Sequence, residues 1–190
     1  MSMTRVAQYL SENTDFEIKL IVAKKLKDEL EVELSETLEV RYLGASRTFF
    51  SIFKLMKVIN SEKPNAILTT LPTPNLIVTA LKKCRLINSK IVLREANSNY
   101  LNWGNSFKDK IKGKLAIFAF NNSDANIFIS DELKVNTEKY ISNKTNTVIY
   151  NPVFTEDFFS KASELVEGLE LNDKEVWVTT SRLEHQKGLD

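Results

Sequence analysis

The chain has 190 residues, 43% hydrophobic and 27% charged, with a net charge of +1. That length buries one substantial core but not two complete domains, and a near-neutral balance argues against a nucleic-acid protein, which carries a basic excess or a basic face. Cys84 is the single cysteine, so an intramolecular disulfide is excluded and a reduced, cytoplasmic setting is expected.

In chain order, Val6 and Leu10 mark a short helix ending near Asn13. Residues 16–22 alternate and then turn fully apolar, as a buried strand does. Residues 24–34 are charged and read as an exposed helix, and 38–43 alternate again. A helix is predicted over 46–60, with Ser46 as N-cap and Phe49, Ile52, Phe53, Met56 and Ile59 on one stripe. Pro64 follows as a stop signal.

A strand at 66–71 leads into Pro72, Thr73 and Pro74, which open a helix to about Leu86. A strand at 90–93 precedes a polar loop, 94–105, and a helix at 106–121. A strand at 125–129, a helix at 131–141 and a short strand at 147–149 end at Asn151-Pro152. Residues 154–173 are acidic and weakly periodic, a linker with a helical piece, and 175–180 form the last strand.

Strand–helix alternation argues for a parallel sheet with helices on both faces. Such sheets bind ligands at the carboxyl ends of their strands. Three polar segments follow strands: 69–75, 94–105 and 181–188. No dinucleotide fingerprint, P-loop, internal repeat or low-complexity segment occurs, and with five glycines there is no glycine-rich phosphate loop. The tail carries Ser181, Arg182, Lys187 and Gly188 after a strand. Arg offers a bidentate fork to phosphate, Lys a compact second charge, and Gly close backbone approach before a helix N-terminus. Taken alone, that spacing also suits an exposed turn with two solvated cations.

Several pieces resemble, in order, the retaining GT-B glycosyltransferases of family 4. Residues 4–12 and 16–22 are similar to the family's first helix and second strand. Lys63-Pro-Asn-Ala-Ile67 is similar to its K-P-D-hydrophobic strand start, and Ser123-Asp-Ala-Asn-Ile-Phe-Ile-Ser130 to a later strand. Val148-Ile-Tyr-Asn-Pro-Val153 resembles the N-P motif closing the N-terminal domain, and 181–190 resembles the R-L-x-x-x-K-G motif opening the donor domain. The resemblance implies a Rossmann-like acceptor-side domain at 1–153 lacking its first strand, a linker at 154–173, and the start of an incomplete donor domain at 174–190.

It further implies a hexosyltransferase-type enzyme moving a sugar from a nucleotide-sugar donor to a glycan or lipid-linked acceptor, with no metal or other cofactor. Arg182, Lys187 and Gly188 match the diphosphate-binding positions. Glu95 and Asn97, at the cleft edge, have the acceptors and donors to meet sugar hydroxyls; ordinary turn chemistry is the equal alternative. Relatives often carry a His near this position, whereas this chain's one histidine is His185. The family's central first strand has no counterpart here, so unpaired backbone groups are expected in the sheet. The chain is expected to be a part of such an enzyme and inactive alone. The alternative is a non-catalytic sugar- or partner-binding module.

Other residues have plainer readings. Asn151-Pro152 is expected to be structural, with the Asn satisfying local backbone groups. Trp103 stacks on a sugar or caps the core, and Cys84 serves packing or surface. Asn121-Asn-Ser and Asn143-Lys-Thr match the glycosylation sequon by chance. In the 106–121 helix, Phe107, Ile111, Leu115 and Phe118 form a stripe between Lys108 with Lys112 and Lys110 with Lys114. Lys stems flanking an apolar stripe suit a core-packed helix, which is favoured; a membrane-surface helix reaching a lipid-linked acceptor is the other reading.

Overall fold

The structure is a computed structural model that describes residues 2–23, 38–44, 51–96, 106–143, 145–151, 160 and 163–164. The chain divides into two compact units, Met1–Pro152 and Val153–Asp190. All elements below belong to the first. They run α1 (Ser2–Asn13), β1 (Lys19–Val22), β2 (Glu39–Tyr42), α2 (Ile52–Glu62), β3 (Ala66–Thr70), α3 (Pro72–Lys83), β4 (Lys90–Glu95), α4 (Phe107–Asn121), β5 (Ala125–Phe128), α5 (Asp131–Glu138) and β6 (Asn146–Val148).

Every strand pair is parallel. The strands form two sheets, β1-β2 and β3-β4-β5-β6. Among the described residues β1 pairs only with β2 and β3 only with β4, so each presents an open edge. Register aligns Thr70 with Arg94 and Arg94 with Ile127. Because side chains alternate along a strand, Leu68, Thr70, Arg94 and Ile127 share one face, while Ile67, Ile91, Leu93, Glu95 and Phe128 share the other.

That second face carries the core. Ile91 and Leu93 are fully buried and pack with Ile77, Val78 and Leu81 of α3, Ala119 and Phe120 of α4, and Ile59 of α2. Phe120 meets Phe128 with ring centroids 6.0 Å apart and tilted, a favourable aromatic geometry. Helix α1 covers part of the opposite face through Met3 and Val6. The α/β architecture with a parallel sheet and helices on both faces is therefore present.

Some boundaries differ from the sequence reading, for identifiable reasons. Strand β1 begins at Lys19 rather than residue 16, and Phe16 is exposed. In α2, Ile52, Met56 and Ile59 turn to the core, but Phe53 is 76% exposed: it sits one position off a stripe with a 3.6-residue period. The Ser46 cap and Phe49 lie outside the described residues, as do 24–34, 154–159 and 165–190. Helix α3 stops at Lys83 rather than Leu86, because Arg85 adopts φ 57° and Leu86 N–H bonds the Leu81 carbonyl. Exposed Cys84 caps it. Helix α5 ends at Glu138 and β6 begins at Asn146.

The α4 stripe is a larger correction. Phe107, Ile111 and Leu115 are 77%, 43% and 41% exposed. Only the last turns of α4, at Ala119 and Phe120, are buried. The helix joins the core through its C-terminal half, and its first half leaves the stripe exposed.

Residues of the 123–130 stretch and of the two sequons make structural contacts. The Asp124 carboxylate accepts from the Ile91 N–H (2.6 Å) and from Lys82 of α3, and the Asp124 N–H donates to the Ile91 carbonyl (2.9 Å). This locks the start of β5 to the start of β4. Ser130 caps α5, accepting from the Leu133 N–H at 3.2 Å. The buried Asn126 amide donates to the Phe120 carbonyl (3.2 Å) and to Asn146 Oδ1 (3.0 Å). Both sequon asparagines are engaged: Asn121 Oδ1 accepts from the Ser142 N–H at 2.6 Å, and the Asn143 amide donates to the carbonyls of Phe120 and Ser123, each at 3.0 Å.

Candidate binding site at the strand ends

In the order β3-β4-β5-β6, Arg94 at the end of β4 links the end of β3 to the segment after β6. The expected loop start at residue 94 is in fact the last turn of the pleat: β4 runs on through Arg94 and Glu95. The register shows why, because both residues still have partners in β5, Ile127 and Phe128.

The Arg94 side chain is only 8% exposed. Its Nη1 donates to Thr70 Oγ1 of β3 at 3.2 Å, and its Nη2 donates to Asn151 Oδ1 just after β6. From the sequence, Asn151 is expected to satisfy local backbone groups; among the described residues its Oδ1 accepts a guanidinium N–H from 57 residues earlier. Both partners are neutral, and among the described residues no ion pair includes Arg94. Burial pushes the Arg94 guanidinium below its ordinary value, and the charge of Glu95 works the other way. It stays charged nonetheless, since arginine does not lose its proton in proteins.

Arg94 lines a small cavity with Met3 and Val6 of α1, Leu68 of β3, Ile127 of β5, and Ile149, Tyr150 and Asn151. Among the described residues its lining is mostly apolar, and Arg94 is the charged group. Tyr150 contributes its ring, while its hydroxyl donates to Asp131; that bond raises the Tyr150 hydroxyl above its ordinary value. The preceding turn is strained. Leu71 takes φ 76°, ψ 145° between Thr70 and Pro72, a region costing a non-glycine residue on the order of 1–3 kcal/mol. Such strain concentrates where a fold must position side chains at a strand end.

Of the residues named from sequence, Glu95 is buried at the end of β4, on the face opposite Arg94. Asn97, Trp103, Arg182, His185, Lys187 and Gly188 lie outside the described residues. Sequence reading missed Arg94 and Thr70 as partners. The available signal was an arginine at the end of a buried strand, but its partners come from positions 70 and 151 and only the register brings them together. Among the described residues no cluster of His, Cys, Asp and Glu is set to hold a metal ion, and no helix is long and apolar enough to cross a membrane.

No protein-family model matches the sequence, and no curated protein does. Among solved structures, the chain is similar to UDP-N-acetylglucosamine 2-epimerase from Rickettsia bellii, with a TM-score of 0.55 at 17% identity. The match covers 79% of this chain and 41% of that one, so the chain spans about two fifths of that enzyme's length. At this identity the likeness concerns the fold: a GT-B-type, Rossmann-like domain.

Proposed function

We propose that the chain forms the acceptor-side domain and the opening of the donor-binding segment of a glycosyltransferase, of the retaining GT-B kind that its motifs resemble. The observation that carries the reading is the GT-B-type parallel sheet, which gathers Arg94, Glu95 and Asn151 at its strand ends, where open α/β sheets take ligands. The structural relative's name makes it a UDP-sugar enzyme, which supports a nucleotide sugar as the ligand. In this proposal Arg182 and Lys187 neutralise charge on the departing diphosphate as the glycosidic bond breaks, and Gly188 lets the backbone approach it. Glu95 and Asn97 orient sugar or acceptor hydroxyls. The acceptor is a glycan or a lipid-linked saccharide, and the exposed basic and apolar half of α4 supports approach to a membrane surface.

The test uses the whole chain with UDP-N-acetylglucosamine, UDP-glucose and GDP-mannose in thermal unfolding. A bound donor at about a hundred times its Kd adds roughly 2.7 kcal/mol to stability, and the Arg182→Ala, Lys187→Ala double variant loses that gain. Absence of stabilisation of the unaltered chain by any nucleotide sugar sinks the proposal. Where a donor binds, product analysis with an acceptor present checks the expectation that the chain is inactive alone: release of nucleoside diphosphate, or return of an isomeric nucleotide sugar, overturns it.

A further inference from the structure

The cavity under α1 is unusual in its charge rather than its size. Its volume is about 90 Å³, well below the roughly 300 Å³ of pockets that enclose whole small molecules. Among the described residues its apolar lining is Met3, Val6, Leu68, Ile127 and Ile149, with Tyr150 and Asn151 beside them and Arg94 as the charged group. A guanidinium has five N–H donors; two are used, by Thr70 and Asn151, leaving three among the described residues. Burying a cation whose hydrogen-bond partners are neutral is costly, and the charge of Glu95 does not outweigh that burial. Asp131, near the cavity through Tyr150, is occupied by the Tyr150 hydroxyl, and alternation turns Glu95 to the other face.

We infer that this cavity binds the anionic head group, phosphate or carboxylate, of a ligand with an apolar body, and that Arg94 is its charge partner. Thr70 and Asn151 hold the guanidinium fork in place, so that the remaining N–H groups present a rigid pair to two oxygens. The apolar walls exclude water around that contact and take the first carbons next to the head group. A complete sugar nucleotide does not fit the volume. The inference stands on the first unit's own geometry and survives failure of the donor reading.

The experiment titrates the full chain with hexyl phosphate, hexanoate, inorganic phosphate and hexanol. The readouts are the methyl signals of Met3, Ile127 and Ile149 and the Arg94 side-chain N–H signal. With hexyl phosphate or hexanoate these signals move together and saturate, and the ratio of the two affinities says which head group the site prefers. The better of the two binds roughly tenfold or more tightly than both hexanol and inorganic phosphate, the ratio that one charge-assisted hydrogen bond produces. Arg94→Gln lowers that affinity by a similar factor, and Arg94→Lys restores part of it. Because Arg94→Gln also releases Thr70 and Asn151, Met3→Glu provides a second variant: it adds a carboxylate to the cavity wall, leaves the clamp intact and weakens binding of the anion. Equal binding of hexanol would falsify the charge role, and equal binding of inorganic phosphate would remove the apolar part. No saturable movement of the cavity signals in the unaltered chain overturns the proposal outright.

Discussion

Asp124 shows how one side chain can join three elements. Burial works against its charged form, but the Ile91 N–H and the Lys82 ammonium outweigh it and hold the carboxyl below its ordinary value. A carboxyl depressed in the folded state contributes stability that is present above the unfolded value, near pH 4, and is lost as pH falls through the folded value. Asp124→Ala is expected to cost about 1 kcal/mol at neutral pH, chiefly because the Ile91 N–H loses its acceptor; the half-exposed Lys82 pair adds little. Urea unfolding at several pH values checks this. The difference between Asp124→Ala and the unaltered chain should be constant above about pH 5 and close toward pH 2. A gap that persists unchanged at low pH would mean that the carboxylate's charge does not matter. Arg94 belongs to the same scale: its position was plain in the sequence as the residue after an apolar strand, but its role was not, because a guanidinium clamp needs partners at Thr70 and Asn151.

Among the elements, α4 behaves least as its pattern suggested. An apolar stripe flanked by lysines has the same periodicity whether it lies on a core or on a bilayer, so position in the fold decides. Here the first half of the helix leaves Phe107, Ile111 and Leu115 open to solvent between Lys108, Lys110, Lys112 and Lys114. Among the described residues Asp109 pairs with Lys112, at 3.4 Å, and four lysines against one aspartate leave basic charge predominant on this stretch. The full chain is expected to sediment with vesicles containing phosphatidylserine, less so as salt rises. Replacing both Phe107 and Ile111 by Ser should reduce vesicle binding severalfold without lowering the melting temperature, since neither side chain is buried. A marked fall in melting temperature would return the stripe to the core. Strand placement, by contrast, was readable: β3, β4 and β5 are apolar runs bounded by Pro, Asn and Ser, and they form three adjacent strands of the larger sheet.

At the scale of the whole first unit, the two sheets are unequal. The four-stranded sheet carries the buried core, while β1-β2 is a pair with partly exposed strands. Lys19 of β1 links to Glu62 of α2 at 2.6 Å and to Glu39 of β2 at 3.3 Å. The Glu62 contact, foremost, pushes the Lys19 ammonium above its ordinary value and holds Glu62 below its own. Side-chain ion pairs of this kind add little where water reaches them, and two strands alone are marginal. Native-state hydrogen exchange should therefore show amides of β1 and β2 opening at lower free energy than those of β4 and β5. Equal protection in both sheets would show that they unfold as one unit.

The sequence by itself determined most element types and the parallel α/β class. These follow from apolar periodicity and from Pro, Ser and Asn punctuation, which act within a few residues. Only the tertiary structure decided that Arg94 and Glu95 extend β4, that Asn151 holds Arg94 and that the α4 stripe faces solvent. The physical reason is common to all three: each depends on strand register or on where a helix ends against the core, and those are set by contacts between residues far apart in the chain.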